Sequence, residues 1–130
     1  MNFREIVDSI AAACSWQVTD EKGGSICIEV PTGNGRTQMV LITDDTDVAD
    51  QQIARYWSVI GSAKDIDFQR CLEENAKLAY GAFALKDELL VLMDTQLVQD
   101  ADPMEVGASI GNLAAYADRY ERDLFGVDKY

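Results

Sequence analysis

Phe3, Ile6, Val7 and Ile10 stand at i, i+3, i+4 and i+7, with Arg4, Glu5, Asp8 and Ser9 between and around them. This single apolar stripe predicts an amphipathic helix over residues 2–14, capped by Asn2 and buried against a sheet. The period then changes from 3.6 to 2. Trp16 and Val18 alternate with Gln17 and Thr19, Asp20–Gly24 has turn chemistry, and Ile26, Ile28 and Val30 alternate with Cys27 and Glu29. That pattern is a hairpin with one apolar and one polar face. Pro31-Thr32-Gly33-Asn34-Gly35 is expected to break the strand. Thr37–Thr43 follows as a third strand, apolar on both faces at Met39, Val40, Leu41 and Ile42. Asp44–Asp50 is expected to be an acidic connector, either a solvated loop or a short helical turn.

Ala54–Ser62, rich in aromatic and β-branched residues, predicts a fourth strand. Asp65 or Asp67 then caps a second helix from Phe68 to about Tyr80. Its apolar face is Phe68, Cys71, Leu72, Ala76 and Ala79, and Gly81 is expected as its left-handed stop. Ala82–Leu85 and Leu89–Met93 flank Lys86-Asp87-Glu88 as a second hairpin. The arm Leu89–Met93 (LLVLM) has no polar position, and residues 39–42 and 56–60 share that property. In an antiparallel sheet such strands need cover on both sides. Either the chain's own helices supply both covers, or a partner supplies one.

The last helix opens on Asp102-Pro103-Met104-Glu105, a cap carboxylate followed by proline at the first helical position. Val106, Ile110, Leu113, Ala117, Tyr120 and Leu124 form its apolar stripe. Gly107, Gly111 and Ala115 form a second row of small residues, suited to close approach by a neighbouring element. Gly126 is expected to end the helix before an Asp128-Lys129-Tyr130 tail. The order α-β-β-β-β-α-β-β-α predicts one α+β domain over 1–130, an antiparallel sheet of five to six strands with segregated helices.

Composition narrows the chemistry. The 130 residues are enough to bury a core without disulfides or metal. With 23 acidic and 11 basic residues the formal charge is -12, which disfavours phosphate backbones and anionic membranes. The absence of histidine excludes Ser-His triads and removes the commonest general base and metal ligand. Cys14, Cys27 and Cys71 form no CxxC pair and are expected as reduced thiols. MNFREIVDS lacks a signal-peptide core, and no stretch has the length of a membrane span, so the cytoplasm is expected.

The glycine-rich loops at 22–25 and 33–36 lack phosphate-cradle spacing. The acidic run 44–50 lacks the glycine and the distal glutamate of a calcium loop. Asp94, at the end of an apolar strand, is the carboxylate that stands out most, and strand-end turn chemistry accounts for it. No cofactor or metal is implied, and catalysis is disfavoured.

The stretch RYWSVIGSAKDIDFQRCLEENAKLAYGAFALKDELLVLMDTQL, with the helix DPMEVGASIGNLAAYADRYERDLFG, resembles the type III secretion chaperone-like fold and, within it, the YbjN-like branch. The shared features are an aromatic and β-branched strand before a helix, the LEENAKLAYGAFAL helix-to-hairpin junction, and an amphipathic last helix with A-D-R-Y near its end. The first hairpin and the PTGNGR loop match less well. The resemblance implies a small acidic protein, usually homodimeric and without cofactor. Secretion chaperones of this kind hold an extended segment of a client protein on apolar patches. YbjN-like members are described as regulators of bacterial sensory transduction or as chaperone-like proteins.

The leading expectation is thus a non-catalytic, homodimeric protein-interaction domain. Tyr56, Trp57, Leu90, Leu92 and Met93 are expected to contribute to one protein-binding face. A small-ligand-sensing regulatory module is the alternative, and a carboxylate-based enzyme the third.

Overall fold

Helix α1 (Phe3–Cys14) begins where Glu5 N–H donates to the Asn2 side chain at 2.8 Å, and it ends at Ser15, which turns into left-handed backbone at φ 60°. The computed structural model describes residues 1–125; the expected Gly126 stop and the 128–130 tail lie outside the described residues. After α1 come β1 (Gln17–Asp20), a 3₁₀ turn at Lys22–Gly24, β2 (Ile26–Gly33), β3 (Arg36–Thr46) and β4 (Gln52–Ser62). Helix α2 (Phe68–Asn75), the hairpin β5 (Ala82–Lys86) and β6 (Leu89–Leu97), and helix α3 (Pro103–Phe125) complete the described chain. The strands form one six-stranded antiparallel sheet in the order β1-β2-β3-β4-β6-β5. Class and element order are as the hydrophobic pattern predicts.

Three local expectations are corrected. Pro31 does not break β2. It pairs with Thr37, and the register shifts between Pro31 and Gly33, so the residue without an amide donor sits beside a bulge at the end of the ladder. The acidic connector is half strand: Asp44 and Asp45 lie in β3 opposite Ala54 and Ile53, and only the residues beyond Thr46 turn. Arg55 Nε donates to Asp45 Oδ2 at 3.0 Å, and Asp47 Oδ1 accepts from Ala49 N–H and Gln51 N–H at 2.8 and 3.0 Å. Cross-strand pairing and a local charge partner thus override the poor strand propensity of aspartate. Helix α2 stops at Asn75 rather than near Tyr80. Its last turn tightens through Ala76 and Lys77 N–H bonds to Glu73 and Glu74, and the Asn75 side chain leaves the helix to accept from Phe83 N–H at 2.7 Å. Gly81 has φ 80° but serves the entry into β5, not the helix stop.

Helix α3 starts where Glu105 N–H donates to Asp102 Oδ1 at 2.8 Å, and it crosses β2, β3, β4 and β6. Val106, Ile110, Leu113, Ala117 and Tyr120 are buried against Ile28, Val40, Ile42, Tyr56, Ile60 and Leu92 of the sheet. Helix α1 lies beside α3. A Cβ added at Gly107 would stand 3.4 Å from Ile10 Cγ2 and one at Gly111 3.8 Å from Trp16, so these two glycines are what α1 and Trp16 approach. Ala115 faces solvent and is not part of that contact. Helix α2 flanks the β5 side of the same layer, where Tyr120 O–H donates to Glu74 Oε1 at 2.9 Å and the Tyr120 and Phe83 rings meet edge to face at 4.8 Å. All three α-helices of the described residues therefore sit on one face of the sheet.

Candidate functional site: the uncovered sheet face

With the helices on one side, strand alternation assigns every sheet residue to a covered or an uncovered face. Cross-strand register makes Cys27, Leu41, Trp57, Met93 and Ala82 one continuous row over five strands on the uncovered side. Two residues along each strand, Glu29 pairs with Met39 and Val59 with Val91, which pairs with Ala84. Leu89 and Lys86 pair beyond them. Part of this surface, toward the β5–β6 turn, is a shallow groove of about 440 Å³ bounded by Met39, Leu41, Trp57, Val59, Lys86, Asp87, Leu89 and Val91. Met39 is 42% exposed, a large value for an apolar residue in the middle of a sheet.

The polar atoms at the centre of this face are already engaged. Trp57 Nε1 donates to Thr43 Oγ1 at 2.8 Å, which leaves the indole as a dry platform. Lys86 Nζ lies 4.6 Å from the Trp57 ring centroid. Arg55 pairs with Asp45 and places Nη1 3.8 Å from Met93 Sδ; Cys27 Sγ is 3.8 Å from Met39 Sδ. The Asp45 carboxyl is held below its usual range, first by Thr46 N–H and then by the Arg55 guanidinium. Burial pushes the Cys27 thiol up, with the negative charges of Glu21 and Glu29 adding to it. A raised thiol pKa beside a thioether makes a soft contact surface, not a nucleophile.

The five residues expected to share one face divide between two. Trp57 and Met93 lie on the uncovered face. Tyr56, Leu90 and Leu92 are buried on the helix side, with Leu92 and Tyr56 in the core beneath α3. Adjacent strand residues point to opposite faces, so Tyr56 and Trp57 cannot both serve one surface, nor can Leu92 and Met93. Cys27, Met39, Leu41, Val59 and Val91 join them on this side of the sheet without having been among the expected binding residues. Their signal was present as parity: each belongs to the set that, continued onto β2, carries Glu29.

A second apolar surface lies on the helix side at the β5 edge. Phe68, Leu72 and Leu85 are 49%, 69% and 59% exposed, around a groove of about 260 Å³ that reaches Cys71, Phe83 and Leu90. Beside it a small cleft of about 110 Å³ is lined by Asp67, Arg70, Cys71, Glu74 and Tyr120. Lys77 and the Tyr120 hydroxyl hold the Glu74 carboxyl below its usual range, while burial and Glu74 push the Tyr120 phenol up. Both groups are moved away from neutrality, the opposite of what proton transfer at neutral pH requires. Their bond joins α2 to α3. Asp94 is not at a strand end as expected: β6 runs on to Leu97, Asp94 sits inside it opposite Tyr56, and its carboxylate accepts from Thr95 N–H at 2.9 Å. Among the described residues no group of three or more cysteine, aspartate or glutamate side chains gathers to hold a metal, and no helix is long and apolar enough to cross a membrane.

No protein-family model matches the chain, and no curated protein matches it by sequence. Among solved structures, a chain of the HopA1–SchA chaperone–effector complex superposes with a TM-score of 0.62 at 12% sequence identity, over 92% of this chain and 93% of that one. The six antiparallel strands and three helices, in this order, are the type III secretion chaperone-like fold. At that identity the likeness is one of fold.

Proposed function

We propose that this protein is a non-catalytic interaction domain of the chaperone-like kind, in the YbjN-like manner, which seats a segment of a partner protein on its uncovered sheet face. The observation that carries this reading is the continuous row Cys27–Leu41–Trp57–Met93, turned away from all three described helices and lined by apolar atoms whose polar neighbours are already paired. A monomer that left such a stripe wet would carry a standing liability. The fold it shares with a chain of a chaperone–effector complex points to the same class of role.

Strand addition is the weaker route for the segment. At the β5 edge the Phe83 N–H is taken by Asn75, and β1 at the opposite edge is only four residues long. The protein acts as a cytoplasmic homodimer in this reading, the two copies meeting across the Phe68, Leu72 and Leu85 patch, which leaves the uncovered face of each sheet free.

Two measurements test the reading. Light scattering coupled to size exclusion should give twice the 14.4 kDa chain mass, and Leu72→Glu with Leu85→Glu should return it to one. Chains that co-purify with the wild type should be lost from a Met39→Lys variant and kept by a Glu5→Gln control. Loss from neither, together with a thermal shift by one metabolite class that Met39→Lys abolishes, would replace the protein partner with a small ligand in the 440 Å³ groove.

A further inference from the structure

The dimensions and charges of the uncovered face restrict what can lie on it. A sheet face offers side chains only, since its amide and carbonyl groups point along the sheet to neighbouring strands, so an extended segment laid there leaves its own backbone groups without partners. A helix satisfies its backbone internally and needs only an apolar stripe opposite. From Cys27 in β2 to Met93 in β6 the row crosses three inter-strand gaps, roughly 14 Å at the usual strand spacing. That is about the length of the apolar stripe on a helix of three turns. The second row, Met39 and Val59 with Val91 buried beside them, lies two residues along, roughly 7 Å away, so the two rows together match the width of one helix. These rows are the apolar surface that an occupant of this face would meet. Cys27, Met39 and Met93 make it soft and adaptable, as helix-binding surfaces are.

The charges agree. Glu29 stands at the β2 end of the second row, and Asp87 borders the groove at the β5–β6 turn, diagonally across the sheet beyond the Leu89–Lys86 pair; neither is in an ion pair among the described residues. Of the basic groups on the face, Arg55 is paired with Asp45, while Lys86 lies against the Trp57 ring and keeps its charge. Two opposite corners of the apolar surface are thus bounded by carboxylates outside any ion pair, a charge pattern that favours a basic segment on this face.

We infer that the partner segment is an amphipathic helix of about three turns with lysine or arginine at both ends, lying across β2, β3, β4 and β6 on the uncovered face. The inference rests on the reading of this face as a protein-binding surface and goes beyond it in naming the form and charge of the occupant.

Three synthetic peptides, followed by fluorescence anisotropy and circular dichroism, decide the matter. The first carries Leu and Met at i, i+3, i+4 and i+7 with Lys and Arg at both ends. The second has the same composition with apolar residues in strict alternation and a central proline. The third replaces the terminal Lys and Arg of the first by Glu. The first is expected to bind with a gain of helical signal and to weaken as salt rises. The other two are expected to bind about tenfold less tightly or worse, the second for want of a helical stripe and the third by charge repulsion. Met39→Lys, at an exposed site that folding tolerates, should weaken the first peptide by about tenfold through an unpaired charge in the apolar contact. Glu29→Gln with Asp87→Asn should weaken it less and flatten its salt dependence.

Equal binding of the first two peptides, both sensitive to Met39→Lys, overturns the helix and leaves the face as a binding surface. Binding of the first that is indifferent to Met39→Lys overturns the placement. Failure of all three, with wild-type self-association abolished by Met39→Lys, makes a second copy the occupant and overturns both readings of this face.

Discussion

The backbone N–H of Phe83 donates to Asn75 Oδ1 at 2.7 Å, so the final residue of α2 closes an edge donor of β5 in place of a seventh strand. One side chain therefore both ends the helix and blunts the sheet edge. Asn75→Ala leaves that donor without a protein partner and is expected to destabilise by about 1–2 kcal/mol. Asn75→Asp keeps the acceptor and should lose less. Urea denaturation gives the difference in midpoint, and light scattering of the alanine variant should show concentration-dependent association through the freed edge. Equal midpoints for all three proteins would show that water replaces the asparagine without penalty.

Asp118 in α3 is 2% exposed and receives two guanidinium groups, Arg36 Nε from the start of β3 and Arg122 Nε from one turn on, each at 3.3 Å. Removing both partners strands a buried carboxylate. Arg36→Met with Arg122→Met is expected to lose about 3–5 kcal/mol at pH 7, and adding Asp118→Leu should recover much of it. Arg122→Met alone, at a half-exposed i,i+4 pair, should lose less than about 1 kcal/mol. If the double variant loses no more than that, the carboxylate reaches water in solution.

Tyr56 is buried, and its O–H donates to Gln96 Oε1 at 2.7 Å, while Gln96 Nε2 donates to Ser109 Oγ at 2.7 Å. Burial first, and the charge of Asp94 second, push its phenol far above the ordinary tyrosine value. The folded state then holds a proton that the unfolded chain releases above about pH 10. The stability so conferred is fully present below pH 10 and lost as pH rises from there toward the folded value, at up to about 1.4 kcal/mol per pH unit. Tyr56→Phe should be flatter than wild type over pH 10–11 in urea titrations. An unchanged slope would mean that the phenol is open to hydroxide in the folded protein.

The three thiols differ in access. Cys14 is exposed, Cys27 half-buried on the uncovered face, and Cys71 buried on the inner side of α2. Burial raises the thiol of Cys27 and of Cys71, reinforced by Glu21 and Glu29 in one case and Asp67 in the other. Alkylation at pH 8 followed by mass spectrometry should proceed in the order Cys14, Cys27, Cys71. Occupation of the uncovered face by a bound peptide should slow Cys27 alone. Cys71 reacting before Cys27 would contradict the packing of α2.

Much of this molecule was legible from residue spacing. The change of period at Trp16, the Asn2 and Asp102 caps, and the alternation of Ile26, Ile28 and Val30 with Cys27 and Glu29 are local signals, and each corresponds to an element in the structure. What local signals misjudged were boundaries set by distant partners. Gln52, outside the expected fourth strand, pairs with Thr46 of β3, and Asp44 and Asp45 are held in β3 by β4 across from them. Asn75 ends α2 because Phe83, eight residues later, needs an acceptor. The conformational freedom of Gly81 suggests a helix stop, yet what requires glycine there is tertiary as well: a Cβ would meet Leu113 Cδ1 at 2.8 Å and Met93 O at 3.0 Å.

The chain's own pattern determined that Leu89–Met93 and its neighbours have two apolar faces, because side-chain identity at each parity is written in the order of residues. It did not determine which face meets the helices. That depends on the hand and length of the connections that carry α1, α2 and α3 to one side, and a period of two is the same seen from above or below. Only the tertiary structure placed Tyr56, Leu90 and Leu92 beneath the helices and left Trp57, Met93, Met39 and Leu41 uncovered.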